Sequence, residues 1–428
     1  MWTAPSPTPQ IAKTRRASDP ATCGRFHLRG DHHTPGMMTG LSLLFPITLS
    51  TMAIVLLAPI LPALLRDFAD VPGHDYWVPM ILTVPALCVA LFSPVAGVLG
   101  DWFGRRRLLM WSFVAYAVVG IAPVFLTDLT AILISRIGVG LAEALIMVLT
   151  TTMIGDYFTG AARDKWLAGQ TAMASMSALV FFNVGGQLGA FGWRVPFWVY
   201  ASALVMLALV WRYTWEPAEN DTGDEATCAP HHASWAGFPW ARMAGTLAIS
   251  VYGSVMFYTV QIQAGRGLAE LGVADPGRIG FLTSIASIGV PVGTWIYSRV
   301  GQMRVALLLL GEFALLTAGF LLMSRASGTT PFLIGCFINQ LGAGLLLPTL
   351  LVWAMDGLPF ETRARGAGMW TGAFSVGQFL CPVVVTYAST HTGGLMGAFG
   401  VLSAAALLGA AGALTGVIRR PQTAPIPA

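Results

Sequence analysis

Charge is what this chain has least of. Of its 428 residues, 10% are charged and 55% are hydrophobic, with a mean hydropathy of +0.68. A soluble domain carries about a quarter charged residues. A water-soluble globule is therefore excluded, because too few polar side chains exist to cover one. Lysine is almost missing. Lys13 and Lys165 are the two present, so arginine carries the net charge of +4. That balance reports membrane orientation and gives no support to nucleic-acid binding. The five cysteines (Cys23, Cys88, Cys228, Cys336, Cys381) are scattered, which excludes a disulfide framework and leaves no pair at metal-ligand spacing. All seven histidines (His27, His32, His33, His74, His231, His232, His391) fall in expected tails or loops, so no histidine relay crosses a membrane here. The His32-His33 and His231-His232 pairs lack partners at ligand spacing, and no metal is expected. No Gly-Lys-Ser/Thr nucleotide loop is present, so ATP drive is unsupported. No nucleophile–base constellation occurs at any depth. An enzyme is not expected, nor a cofactor. Residues 1–40, rich in Pro, Arg, Thr and His, have no apolar core of a signal peptide. They read as a disordered cytoplasmic tail.

Long hydrophobic runs are what the chain does have. About 20 apolar residues are needed to cross roughly 30 Å of hydrocarbon. Runs of that kind lie near 41–66, 76–99, 108–126, 129–154, 166–190 and 194–213, and again near 241–263, 279–299, 304–324, 330–355, 366–389 and 394–418. They predict an all-α membrane protein of twelve helices, arranged as six plus six. Residues 41–213 form the first expected bundle and 241–418 the second. Between them, 214–240 holds Glu216, Glu219, Asp221, Asp224 and Glu225 with Pro and Gly, and reads as a flexible cytoplasmic linker. Residues 419–428 are a second cytoplasmic tail. With both termini inside, 18 Lys and Arg fall on the cytoplasmic side and 5 outside, while Arg136 lies within a span. The positive-inside rule fixes that orientation.

The stretch Gly97-Val-Leu-Gly100-Asp101-Trp-Phe-Gly104-Arg105-Arg106-Arg107 joins the second run to the third with almost no loop. Glycines let two helix ends approach closely, and three arginines beside a span favour the cytoplasmic face. By themselves the arginines fit an ordinary topogenic loop. The order of Gly, Leu, Asp, Gly and Arg resembles the loop between the second and third helices of the major facilitator superfamily. That resemblance covers about residues 41–418. It implies two six-helix bundles around a central cavity, alternating access, and a cytoplasmic gate at Gly97, Gly100, Asp101, Gly104, Arg105 and Arg106. It also implies that Asp101 faces the start of the eleventh helix when the cytoplasmic side is shut, as a latch. A carboxylate at a helix N-terminus gains about 0.3–1 kcal/mol from the dipole. The end of the eighth span, Thr294 to Arg304, repeats the signature weakly, with Ser298 where the aspartate belongs.

The fourth span carries Arg136-Ile-Gly-Val-Gly140-Leu-Ala142-Glu143. Each charge inside a span costs about 2.5–3.5 kcal/mol on insertion scales. Seven residues are two turns, so both side chains leave nearly one face about 10 Å apart. A buried pair held by neighbours accounts for them structurally, as does an arginine reaching toward the outer surface. The arrangement resembles the fourth-helix arginine motif of proton-coupled facilitators, with Val139 replacing the usual glutamine. The resemblance implies that Arg136 couples proton or anionic substrate, and Glu143 is the candidate proton carrier. In the fifth span Gly185-Gly186 matches half of a drug/proton-antiporter motif, with Phe181-Phe182 in place of its Gly-Pro. Glu312, in the ninth span, reads as a packing residue. Tyr252, Tyr258 and Gln261 of the seventh span and Asn339 and Gln340 of the tenth are candidate substrate contacts. Interhelical hydrogen bonding is the commoner use of such residues. The reading is a monomeric secondary transporter of a bacterial inner membrane, exporting apolar or amphipathic small organic molecules against protons. The alternative is proton-coupled uptake of an organic anion, with Arg136 pairing its carboxylate.

Overall fold

Within hydrocarbon a spanning segment must satisfy its own backbone groups, and an apolar run of this length does so as a helix. The computed structural model describes residues 35–216, 238–356, 358 and 360–419. Among these, twelve helices are long and apolar enough to span: α1 (Met37–Asp67), α2 (His74–Phe103), α3 (Arg105–Val124), α4 (Leu129–Tyr157), α5 (Gly160–Gly189), α6 (Val195–Tyr213), α7 (Trp240–Glu270), α8 (Pro276–Val300), α9 (Val305–Ser324), α10 (Thr329–Met355), α11 (Gly366–His391) and α12 (Leu395–Ile418). The protein is an integral membrane protein of the expected all-α class, with no strand among the described residues. The expected tails and most of the expected linker lie outside the described residues.

Local chemistry explains the helix ends. Asp128 caps α4 by accepting from the Ala131 amide at 2.9 Å, and Asp275 caps α8 by accepting from the Arg278 amide at 2.9 Å. Such a cap satisfies an amide the helix itself leaves open. Gly104 turns α2 into α3 at φ +83°, a conformation that costs a side-chain-bearing residue. Four spans are less regular than their hydropathy predicts: α3 ends in a 3₁₀ turn at Ala122–Val124, α6 opens with one at Val195–Ala201, and two are interrupted within their length. α1 is interrupted around Pro46 and passes through a 3₁₀ turn at Ala58–Ile60 beside Pro59 and Pro62. α8 breaks at Ile288, between Ser287 and Gly289, because the Pro291 ring collides with the carbonyl four residues earlier. Two other spans run longer than their apolar stretch. α5 starts at Gly160 and α7 continues to Glu270, where Arg266 Nε and Glu270 Oε1 meet at 3.6 Å one turn apart. Long charged side chains let a helix continue past the apolar boundary by extending their heads outward.

The helices group as two six-helix bundles. In the first, α4 packs on α2 and α3, and α3 on α6; in the second, α9 packs on α10 and α12, and α7 on α11. The halves meet along α5–α8, α2–α11 and α1–α7, and those seams share one end of the molecule. Asn183 Nδ2 of α5 donates to Ser284 Oγ of α8 at 2.7 Å, and Thr386 Oγ1 of α11 donates to the Asp75 carbonyl of α2 at 3.1 Å. Gly186 and Gly280 let α5 and α8 touch backbone to backbone. A Cβ on Gly186 would stand 2.5 Å from the Pro276 carbonyl oxygen and 2.9 Å from Gly280 Cα. The opposite end carries Arg105, Arg106, Arg107, Arg242 and Arg304.

Candidate functional site

Between the halves lies a cavity of about 260 Å³, bounded by α1, α2, α4, α5, α7, α10 and α11. It opens toward the arginine-rich end. Down the face that α11 turns to it, Thr371 is exposed, Ser375 half-buried and Gln378 buried. One wall is aromatic. Phe257 meets Tyr258 edge-on at 4.8 Å and Phe374 at 5.7 Å, while Trp370 stacks on Phe374 at 5.2 Å. Such geometry is favourable between aromatic rings. Hydroxyls and amides from Ser50, Thr51, Ser175, Gln261 and Gln378 interrupt the apolar surface.

Glu143 is the one charged side chain among the described residues that line this cavity. It is 5% exposed, the Ser50 side chain approaches the carboxyl, and Oε2 has no hydrogen-bond partner. A carboxylate in that position needs a neutralising partner, since an uncompensated charge in low dielectric is costly. No ion pair with Arg136 supplies one. Arg136 points away from the cavity, fully buried, and its Nη2 donates to the Gly120 carbonyl of α3 at 3.1 Å. Its guanidinium lies over the Phe197 and Tyr200 rings of α6, at 5.1 Å and 4.9 Å from their centroids. Tyr200 packs on Tyr116, whose hydroxyl donates to the Leu49 carbonyl of α1 at 2.8 Å. Arg136 thus ties α4 to α3 and α6, two turns from the carboxyl it was expected to accompany.

Of the other candidate contacts, Tyr258 and Gln261 line the cavity. Tyr252 does not. It lines a separate crevice in the second bundle, where its hydroxyl donates to the Ala405 carbonyl. Asn339 and Gln340 are fully buried inside that bundle, with Gln340 Nε2 3.4 Å from the Phe257 carbonyl and from Asn339 Oδ1. Glu312 is buried away from the cavity and accepts from Thr349 Oγ1 at 2.5 Å. The α11 side chains Trp370, Phe374 and Gln378 were not foreseen, because no charge or motif marks that span.

At the arginine-rich end, Gly97 and Gly100 face Val148 and Leu149 of α4. Arg105 bridges two carboxylates: Nη2 to Asp101 Oδ1 at 2.9 Å and Nη1 to Asp156 Oδ2 at 2.6 Å. Arg106 donates through Nη2 to the Trp211 carbonyl at 2.9 Å, and its amide donates to Glu216 Oε1 at 3.1 Å. Every described partner of Asp101 therefore belongs to its own bundle. Asp156 and Glu216 were missed in the sequence. One sits in a common Gly-Asp-Tyr triplet, and the other in a segment read as linker.

Twelve spans in two bundles, a central cavity and this charged hairpin fit one known architecture, and a family model described as Major Facilitator Superfamily matches residues 43–382. The chain belongs to that superfamily. As a facilitator it is a transporter and not an enzyme. It is similar to the uncharacterized MFS-type transporter YceJ of Bacillus subtilis, 24% identical over 81% of this chain and 89% of that protein. It is also similar to the class G tetracycline resistance protein of Vibrio anguillarum, 25% identical over 73% of this chain and 77% of that protein. Among solved structures, a bacterial homologue of the human lysosomal transporter Spinster, in an inward-facing and unoccupied conformation, superposes with a TM-score of 0.77. At 14% identity, over 92% of this facilitator and 100% of that chain, that likeness shows the fold alone.

Proposed function

We propose that this facilitator exports apolar or amphipathic small organic molecules in exchange for protons, with Glu143 as the shared site. The observation that carries this reading is a carboxyl with no ion-pair partner, the one charged side chain among the described residues that line an aromatic-walled cavity. A proton and a cationic amphipathic substrate both relieve that carboxyl, so each displaces the other. Similarity to a tetracycline resistance protein supports export. Uptake of an organic anion is less well supported, because no arginine or lysine is among the described lining residues and Arg136 faces α3 and α6. The positive-inside rule puts the arginine-rich end in the cytoplasm of a bacterial inner membrane. The cavity then faces the side from which an exporter loads.

The test is substrate flux in inside-out vesicles under an imposed proton gradient, with cationic dyes and aromatic acids as probes. Gradient-driven accumulation of dye supports the reading. Accumulation of an aromatic acid with no dye movement contradicts it.

Arg136 is assigned to hold α3, α4 and α6 together beside the proton site. Arg136→Lys keeps the charge but loses the planar stack on two rings, worth about 2 kcal/mol or more when desolvated. The expected result is a lower melting temperature in detergent with dye affinity unchanged at low temperature. A weakened dye affinity without thermal loss would instead put the arginine in substrate binding.

Asp101 is assigned as a gate. In the state described it is held by Arg105, and in the alternate state it caps α11. Asp101→Asn removes a helix-terminus interaction of about 0.3–1 kcal/mol from the alternate state, and from the state described only an exposed ion pair of little net worth, since Arg105 keeps Asp156. Distance measurements between labels on α2 and α11 should then show up to about a fivefold shift toward the state described here. An unchanged distribution would remove Asp101 from gating.

A further inference from the structure

The second bundle gives the transport cavity two carboxamides that its own packing does not use. Gln261 of α7 and Gln378 of α11 both line the cavity, 7% and 6% exposed. Among the described residues neither side chain has a hydrogen-bond partner. A glutamine that braces helices looks different. Gln170 of α5, 5% exposed, donates through Nε2 to the Leu43 carbonyl of α1 at 3.2 Å. The level of the two free amides follows from helix geometry. α7 and α11 run side by side from the arginine-rich end toward the seams that join the halves. Tyr258 of α7 and Phe374 of α11 face each other with ring centroids 5.6 Å apart. Gln261 stands three residues beyond Tyr258 and Gln378 four beyond Phe374, about 4.5 and 6 Å further along. Both amides therefore lie at one level, about a turn deeper than the aromatic wall. Gly377 fixes the two helices there, since a Cβ on it would stand 2.5 Å from the Val251 carbonyl oxygen and 2.6 Å from Ser254 Cβ.

A buried amide costs free energy until its donors and its carbonyl are answered. Each glutamine presents both kinds of group. A substrate that reaches this level takes the place of water on them, and must replace those hydrogen bonds or lose affinity. A second ionic group gains nothing here. Glu143, on α4 in the other half, is the one charged lining side chain among the described residues, so a further charge meets no counter-ion. A bare hydrocarbon leaves both amides unanswered, which a site built for hydrogen bonding penalises. A neutral group that both donates and accepts satisfies the two glutamines together, and a carboxamide is that group. We infer that Gln261 and Gln378 form a specificity subsite, and that the preferred substrates are cationic aromatic amphipaths with a carboxamide on the body. The inference rests on the reading of this cavity as the exchange site and narrows its substrate class.

The full chain, purified in detergent, should be titrated by calorimetry with three probes of matched length. They are N-(2-dimethylaminoethyl)benzamide, 2-dimethylaminoethyl benzoate and N,N-dimethyl-4-phenylbutylamine. All are cations with the same number of chain atoms between ring and nitrogen. The second lacks the N–H, and the third lacks the carbonyl as well. After correction for partition into detergent, affinity should fall in that order. Gln261→Met and Gln378→Met keep the side-chain length and remove the amide. Each should lower the ratio of benzamide to phenylbutylamine affinity by about twofold to tenfold, the worth of one hydrogen bond. A parent chain that binds the three probes alike overturns the inference, and so does a ratio unchanged in both variants. A variant that fails to fold shows a lowered melting temperature, and the order in the parent chain then decides. Failure of the exchange reading is separate. Proton release by the benzamide that is equal in the parent and Glu143→Gln chains would remove the exchange site and leave the probe order standing.

Discussion

Glu143→Gln should reduce gradient-driven transport to the level seen without a gradient, and should weaken binding of a cationic dye without abolishing it. Glutamine keeps the size and much of the hydrogen-bonding capacity of the side chain but can neither release a proton nor carry charge. The packing around residue 143 would be undisturbed, since the carboxyl borders a cavity and Oε2 has no partner to lose. What disappears is the requirement for neutralisation. In the proposed exchange the parent site is stable with a proton or with a cationic substrate, and unstable with neither. That condition couples the two fluxes. With glutamine the site is neutral in every state, so a substrate binds without displacing anything and crosses only down its own gradient. The check is paired: accumulation of dye in inside-out vesicles, and equilibrium dye binding to the purified variant. A lowered melting temperature would mean a structural defect, and parent-like accumulation and binding would return Glu143 to packing.

Gly186→Ala is the second large effect, from the smallest possible change. Its added methyl meets backbone on two sides, the Pro276 carbonyl oxygen at 2.5 Å and Gly280 Cα at 2.9 Å. Neither can turn aside as a flexible side chain would. Overpacking of this kind costs about 1–3 kcal/mol, which corresponds to roughly fivefold to 150-fold in an equilibrium. The clash exists only where α5 and α8 touch. In the proposed alternating-access cycle these helices part in the opposite state, so the cost falls on the state described here. Spin labels at the ends of α5 and α8 should show the separated population rising by that factor, and transport should slow. A fold defect would be told apart by the melting temperature. An unchanged distance distribution would mean the two helices never part.

The twelve spans were legible because a helix in hydrocarbon must be long and apolar, and twelve such runs stand in the sequence. Their interruptions were not. The apolar run across Pro46, Pro59 and Pro62 reads as continuous, although each proline removes an amide donor from α1. Glu143 was legible for the opposite reason: a charge within an apolar run is conspicuous. Its expected partnership with Arg136 was inferred from their spacing along one helix. Rings from α6, some sixty residues later, draw the guanidinium the other way, and no periodicity on α4 reveals them. The two tyrosines of α7 illustrate the same limit. Six residues turn a helix through about 600°, so Tyr252 and Tyr258 face different sides, and only the second reaches the cavity. Tyr258 and Gln261, three apart, share a face as their spacing requires. The α11 wall was invisible because Trp370, Phe374 and Gln378 look like any membrane-helix composition until α7 is placed against them.

The proposed coupling is one carboxyl exchanging a proton for a substrate, and proton release on binding measures that exchange. Purified chain in weakly buffered detergent solution, mixed with a saturating cationic dye, should acidify the medium. The Glu143→Gln chain should bind the same dye with no acidification. Release of protons that is equal in the two chains would contradict the assignment of Glu143 and put the exchanging group elsewhere.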